Sequence, residues 1–510
     1  MACGMNKQSF AVEEGAREEA AEGLQNKPLK YKAMALVVAL FFSIGSHYAS
    51  NSINALKGQA KKELGMSNTT YGVVQASVYL INTVMPIVGG VLMDRFGSVY
   101  GAVVSNGVIF LGNVLVAISA SFIGSSTGLG LMISGRVLHG FGSGMIVVAQ
   151  QTILSKWFST SILGTVIGIQ IAASRFSNWL AHFTAPQVAV YFGTVQAPLW
   201  VSACMCALSL GVTLLYAVVL HHAGGEVISA KAKRAPFSPR RLTLLPLGFW
   251  VVPLTYAAIA CLSKPFMGSV AEFIKMTYPS KKATELENHV IAGFKSSVAL
   301  LLPIIISPLL GGALDWYGHR SITVIMSATI LALSFACLPL GEASLYPGLV
   351  LFSIGKCIGP VATISSVPLL LSNELVGTGI GINKSAAAIS VAFMHLLIGL
   401  VQDTTPQKDY SRVLPMLFYL SILGIFISLL YYFYNYYNYQ LFDAPARSRK
   451  QIIDKHNDTL IVNKSVADLP PPKLAQYIPP IITLLLIAAC WLSFIYCLFI
   501  GKTYVKKLGK

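Results

Sequence analysis

Gly89-Gly-Val-Leu-Met-Asp-Arg-Phe-Gly97 closes one long apolar run and opens the next, and Gly311-Gly-Ala-Leu-Asp-Trp-Tyr-Gly-His-Arg320 does the same later in the chain. In each copy an Asp stands with a Gly four residues before it and another three residues after it: Gly90, Asp94, Gly97, then Gly311, Asp315, Gly318. Glycines permit a tight turn, and the charge keeps that turn out of hydrocarbon. The two Asp residues are 315 − 94 = 221 positions apart. A phrase returning at that distance marks a duplicated unit.

The runs on either side of these hinges set the fold class. The chain is 55% hydrophobic and 11% charged, against about 25% charge in soluble domains. Apolar runs lie near 33–53, 73–92, 100–120, 127–150, 160–183 and 197–220, and again near 244–270, 290–312, 321–340, 345–371, 377–401 and 413–435. Most reach the ~18–20 residues that cross ~30 Å of hydrocarbon as a helix. Between the two sets lies a basic connector with Lys231, Lys233, Arg234, Arg240 and Arg241 beside Pro236 and Pro239. The expected protein is therefore all-α and membrane-embedded, with two pseudo-symmetric six-helix bundles. Its expected parts are a cytoplasmic tail, 1–30; a first bundle, 31–221; a basic linker, 222–243; a second bundle, 244–436; and a polar loop, 437–476. A further run at 477–500 reads as an extra C-terminal transmembrane helix before a short tail, 501–510. The alternative for that run is a hydrophobic hairpin or interfacial helix, which Pro479 and Pro480 would favour. Residues 1–30 lack the apolar core of a signal peptide.

The net charge of +17 follows from orientation rather than from a nucleic-acid partner, because Lys and Arg collect in cytoplasmic loops. With the N-terminus inside, that side carries Arg95, Lys156, the linker cluster, Arg320, Arg447, Arg449 and Lys450. The opposite side carries Lys57, Lys61, Lys62, Lys281 and Lys282, partly balanced by Glu63, Glu285 and Glu287. Of three N-x-Ser/Thr sequons, at Asn68, Asn457 and Asn463, only Asn68 falls on the non-cytoplasmic side and is the glycosylation candidate. The eight cysteines show no metal-ligand spacing. No metal or cofactor is expected, and no phosphate loop for an ATP-driven pump appears.

Gly90, Asp94, Arg95 and Gly97 resemble the signature loop of the major facilitator superfamily, and Gly311 to Arg320 resembles its second-half echo. Gly135-Arg136 followed by Gly140, Gly142 and Gly144 is similar to that family's helix-four motif. The resemblance covers residues 31–436 and implies the major facilitator fold, with Gly90, Asp94, Arg95, Gly97, Arg136, Gly311, Asp315, Gly318 and Arg320 as gating residues. Ser98 and Val99 replace the first loop's usual closing basic residues. Within the superfamily, the stretch Gly135 to Phe158, the phrase Gly168-Ile169-Gln170 through Arg175, Ser307-Pro308 and Gly377-Thr378 resemble the lysosomal dipeptide transporter branch. That likeness implies facilitated diffusion of dipeptides across a lysosomal or vacuolar membrane, with the plasma membrane as the alternative. Gly144 stands where the branch carries an acidic residue, and Lys384 where it carries an uncharged amide.

Charges inside the spans are expensive and face protein or a wet cavity. Here they are one-sided: Arg136, Arg175, Lys264, Lys295, Lys356 and Lys384, with acids only at span ends. Arg136, inside the glycine motif, reads as structural or gating, and Lys264 and Lys295 can snorkel to the surface. Arg175, Lys356 and Lys384 remain as candidates to hold a carboxylate or other anion between the halves. Gln170, Gln75 and Tyr79 are candidates for neutral hydrogen bonds. The histidines His47, His139, His182 and His395 read as packing residues rather than proton carriers, which favours passive or exchange transport.

The function expected is secondary transport of a small zwitterionic or anionic solute, dipeptides or amino acids first, by alternating access. One alternative is carriage of another organic anion, a monocarboxylate or phosphorylated metabolite. The other is a non-transporting receptor or scaffold of the same fold. No nucleophile–base constellation supports an enzyme. The partners expected are a small-molecule substrate and the lipid bilayer, with an accessory membrane subunit also allowed and nucleic acid excluded.

Overall fold

The computed structural model describes residues 28–86, 88–89, 98–122, 125–158, 160–222, 240–371, 373–438, 440–455 and 473–508. Its first half contains α1 (Leu29–Ala55), the short α2 (Lys57–Glu63), α3 (Asn68–Ile81), α4 (Ser98–Ser119), α5 (Ser126–Trp157), α6 (Thr160–Phe192) and α7 (Gln196–His222). The second half contains α8 (Val251–Met267), the short α9 (Val270–Thr277), α10 (Glu285–Tyr317), α11 (Arg320–Cys337), α12 (Glu342–Leu370), α13 (Asn373–Thr404) and α14 (Val413–Tyr437). A short polar helix, α15 (Ala446–Lys455), and a long apolar one, α16 (Ile478–Leu508), follow.

Helix starts are written into the local sequence. Ser67 accepts a hydrogen bond from the Thr70 N–H at the start of α3, and Ser125 accepts one from Gly128 at the start of α5. Thr284 and Glu287 form a reciprocal capping box at α10. Each cap satisfies amides that the first turn would otherwise leave unpaired.

Eleven helices among the described residues are long and apolar enough to cross a membrane. Neither α3 nor α6 is among them, although both run between other spans. Only 14 residues of α3 form continuous described helix, and α6 carries Gln170, Ser174, Arg175, Asn178 and His182. Polar content lowers hydropathy where a helix faces protein instead of lipid. The extra run of the sequence is realised as α16, part of which is one of the eleven.

Packing sorts the helices into two bundles. In the first, α1 lies against α6 and α7, and α4 against α5 and α7. Small residues allow this closeness: a Cβ added at Gly112 would fall 2.6 Å from the Gly135 carbonyl oxygen, and one at Gly135 would fall 2.5 Å from that of Gly112. No such Cβ fits. In the second bundle, α11 packs on α12 and α14, and α8 on α13. Its core includes Phe266, whose ring meets those of Phe335 and Phe352 edge-on at 5.3 and 5.1 Å. The halves meet along two seams, α3 with α13 and α6 with α10. Helix α16 docks on the first seam, touching α3 and α13 together.

Candidate functional site

At the end of the molecule opposite the linker, the halves are closed by a buried ionic cluster. Lys57, on α2, donates through Nζ to Ser269 Oγ (3.1 Å), Gln402 Oε1 (2.9 Å) and Tyr410 Oη (2.9 Å). The same ammonium pairs with Glu272 Oε2 at 3.0 Å, and Lys61 pairs with Glu272 Oε1 at 2.6 Å. Tyr410 donates to Glu272 Oε2 at 2.7 Å. Burial by itself would raise the Glu272 carboxyl, but Lys57 and Lys61, with the hydrogen bonds from Lys61 and Tyr410, bring it well below the ordinary carboxylate range. Two cations on one carboxylate, with further donors and acceptors, is the arrangement in which a buried charge is tolerated.

A second cross-half contact sits beside the first. Asp403, at the end of α13, accepts from the backbone N–H of Asn68 (3.2 Å) and Thr69 (2.7 Å), and from the Asn68 Nδ2 (2.9 Å) and Thr69 Oγ1 (2.7 Å). A carboxylate of one half thus caps a helix of the other. Asn68 is the sequon expected on this side of the membrane. The residue is 1% exposed in this conformation and its amide nitrogen is bonded to Asp403.

Deeper in, the first half holds a buried polar chain. Arg136 Nη2 donates to Gln75 Oε1 at 2.6 Å, and Gln75 Nε2 donates to Tyr71 Oη at 2.6 Å and also to Asn54 Oδ1. Tyr71 Oη lies 3.2 Å from the carbonyl oxygens of Ile53 and, across the seam, Gly268. Arg136 and Gln75 therefore brace α5, α3 and α1. Gln170 is likewise committed, donating to Gln150 Oε1 at 2.8 Å, while Gln150 donates to the Ala39 carbonyl at 2.7 Å. Tyr79 stacks on His395 across the seam, ring centroids 5.4 Å apart.

The remaining cations have no carboxylate partner among the described residues, Lys295 excepted, which reaches Glu342 at 3.2 Å. Arg175 on α6 and Lys356 on α12 come from different halves, and both helices pack against α10. Lys356 Nζ sits 5.6 Å from the Phe352 ring centroid. Lys264 on α8 places its Nζ 5.8 Å from the ring centroid of Tyr79. Lys384 lies on α13, which packs against α8, the helix of Lys264.

Of the gating residues, Gly90, Asp94, Arg95 and Gly97 lie outside the described residues. The second copy is held within its own half. Asp315 pairs with Arg320 at 2.8 Å, and Arg320 Nε donates to Ser365 Oγ at 2.9 Å. Gly318 has φ 78°, and a Cβ there would fall 2.4 Å from the Asp443 carbonyl oxygen, so this hinge requires glycine. Gly311 faces open space. Gly144 has a physical reason to lack a side chain: a Cβ would lie 2.6 Å from Asn82 Oδ1 and 2.8 Å from Met85 Cβ, where α5 crosses the continuation of α3.

Sequence reasoning singled out neither Asp403 nor the pairing of Lys57 with Glu272. The signal was the recurrence of charges at the ends of the first, seventh and eleventh runs, all on one side. Only the folded chain shows that these charges meet.

The family model described as Major Facilitator Superfamily matches residues 36–394. The chain is 23% identical over 447 residues to the lysosomal dipeptide transporter MFSD1 of Bos taurus, covering 84% of this chain and 91% of that one. The Homo sapiens protein of the same name matches at 23% over 84% of this chain and 92% of its own. A probable anion transporter 2, chloroplastic, of Oryza sativa subsp. japonica is 27% identical over 32% of this chain and 30% of that one. Among solved structures, a D-xylose-proton symporter superposes with a TM-score of 0.61 at 13% identity, covering 79% of this chain and 97% of that one. An auto-inhibited POT family peptide transporter superposes at 0.58 with 12% identity, covering 79% of this chain and 96% of that one. At such identity these structures speak for the fold alone.

Proposed function

The chain belongs to the Major Facilitator Superfamily, and from that premise we propose that this multi-pass membrane transporter carries dipeptides across a lysosomal membrane. The carrying observation is the one-sided set of membrane cations: Arg175 and Lys356 lie in different halves, on helices that both pack against α10, without a carboxylate partner among the described residues. A substrate carboxylate between them would supply the missing charge and tie the halves together, which is what a rocking carrier needs of its substrate. The names of the MFSD1 relatives support both the dipeptide and the lysosome.

In the conformation described, the Lys57–Glu272 cluster and the Asp403 cap close the far end. Release of a guest there requires both contacts to separate, so the cycle alternates between this closed arrangement and one in which the far ends of α3 and α13 part. Passive carriage fits a chain in which His139 is bonded to Ser50 (2.8 Å) and Asn113 (2.9 Å) and His395 is stacked on Tyr79.

The test is a thermal-shift screen of the purified chain with dipeptides, amino acids and organic acids, followed by uptake in vesicles. Dipeptides should stabilise the protein, and Arg175→Ala should abolish both stabilisation and uptake while expression stays normal. Organic acids stabilising it where dipeptides do not would favour the second reading, an organic-anion carrier. The cation surplus is the observation behind that alternative.

A further inference from the structure

Arg175 and Lys356 account for one anionic group of a guest, yet the second half presents another unanswered cationic position. Tyr256 and Ala260 of α8, Ala387 and Val391 of α13, and Tyr79 of α3 pack in one cluster. Lys264 lies four residues beyond Ala260, and Lys384 three residues before Ala387, so each lysine continues the helix face that enters this cluster. The Lys264 ammonium over the Tyr79 ring fixes that placement from the α3 side. The two lysines therefore bracket the wall where α8, α13 and α3 meet.

The groups beside Lys384 are also unanswered. Asn383 is 1% exposed, and neither its Oδ1 nor its Nδ2 has a hydrogen-bond partner; Ser385, 4% exposed, has an unpartnered Oγ. A buried amide with both ends unpaired is rare and costly in a folded protein. Here it adjoins a cation with no carboxylate in reach among the described residues. Asn383 and Lys384 both flank the Ala387 face of α13, whereas Ser385 points away from it, so oxygen acceptors brought by a guest would answer the ammonium and the amide N–H together.

We propose that Lys384, with Lys264 and Asn383, forms a second anion subsite, distinct from the Arg175–Lys356 position, so that the carrier prefers substrates with two acidic groups, an aspartyl or glutamyl dipeptide above all. This rests on the dipeptide reading and narrows it. The backbone carboxylate goes to Arg175 and Lys356, and the acidic side chain goes to Lys384. A neutral dipeptide fills only the first position.

Gly-Glu and Gly-Gln have the same shape and differ by one charge, which makes them the probe pair. Their affinities for the purified full-length chain are to be measured beside that of glutarate. One desolvated charge-assisted contact should make Gly-Glu bind about tenfold more tightly. Lys384→Gln should erase that ratio while leaving Gly-Gln unchanged, whereas Arg175→Gln should weaken both. Lys384→Met, which keeps side-chain length and removes a buried charge, should behave as Lys384→Gln and melt no lower than the parent. A ratio that survives both substitutions overturns the subsite, as does an equal loss for the two dipeptides. If neither dipeptide binds but glutarate does, and Lys384→Gln weakens it, the dipeptide reading fails and the subsite stands. Silence toward all three ligands overturns both.

Discussion

Glu272 shows how one residue governs the far end. Its carboxylate takes two lysines of α2 and a tyrosine from the segment before α14, and its acidity is raised accordingly. A carboxyl whose folded value lies below its unfolded value of about 4.3 holds its full contribution above that value, and loses it only as pH falls through the lower one. Closure should therefore persist unchanged from about pH 7 to about pH 5. The check is the rate at which a Ser269→Cys variant reacts with a membrane-impermeant maleimide from the far side; that rate should be flat over this range. Glu272→Gln leaves Lys57 buried with a neutral partner, so the same rate should rise at every pH. Gly144 makes the opposite kind of point, since Gly144→Ala removes no interaction but places a methyl 2.6 Å from Asn82 Oδ1. An overpacked crossing of this sort costs about 1–3 kcal/mol, which should appear as a lower melting temperature with ligand preference intact.

Among the elements, α16 is held differently from the other long helices. Its buried positions include Cys490, Phe494 and Cys497, while Leu484, Leu485, Leu492 and Phe499 are exposed. The buried stripe meets Val73, Ala76 and Leu80 of α3 and Ile389, Ala392 and Leu396 of α13. Lipid solvates an apolar surface as well as protein does, so only close packing is lost when such a stripe is trimmed. Phe494→Ala should cost about 1 kcal/mol, less than the several expected in a water-soluble core. Leu485→Ala, on the lipid side, should leave the melting temperature unchanged. Because the stripe touches helices of both halves, Phe494→Ala should also ease separation of the α3–α13 seam. Faster maleimide reaction at the Ser269→Cys probe would register that.

For the whole molecule, the two seams and the far-end cluster describe one end of an alternating cycle. We propose, from the family resemblance of its sequence, that the hinge around Asp94 takes part in that cycle. Its second copy, Asp315 with Arg320 and Ser365, joins α10, α11 and α12 of a single half. The second hinge thus ties three helices of one half together, and in the cycle proposed above the cations between the halves meet the guest. Asp94→Ala should then change the rate of exchange between facing states, read as uptake velocity, without reordering which ligands stabilise the protein.

Sequence alone determined the membrane class, the two six-helix halves, the hinge repeat and the extra apolar run, because hydrocarbon thickness and duplication act on stretches of residues and leave a periodic trace. It also exposed the cation surplus, since a charge inside an apolar run is visible without knowing its neighbours. Which cations share a wall was not visible. Gln75, Gln170 and Arg136 look alike in sequence as polar residues within spans, yet each is committed to bracing helices once partners are known. Asn68 reads as a sequon and folds as the first residue of a helix capped from the other half. Contacts such as Lys57 with Glu272 join residues more than two hundred positions apart. Only the tertiary structure decides them, because a hydrogen bond or ion pair depends on distances of a few ångströms that no local pattern encodes.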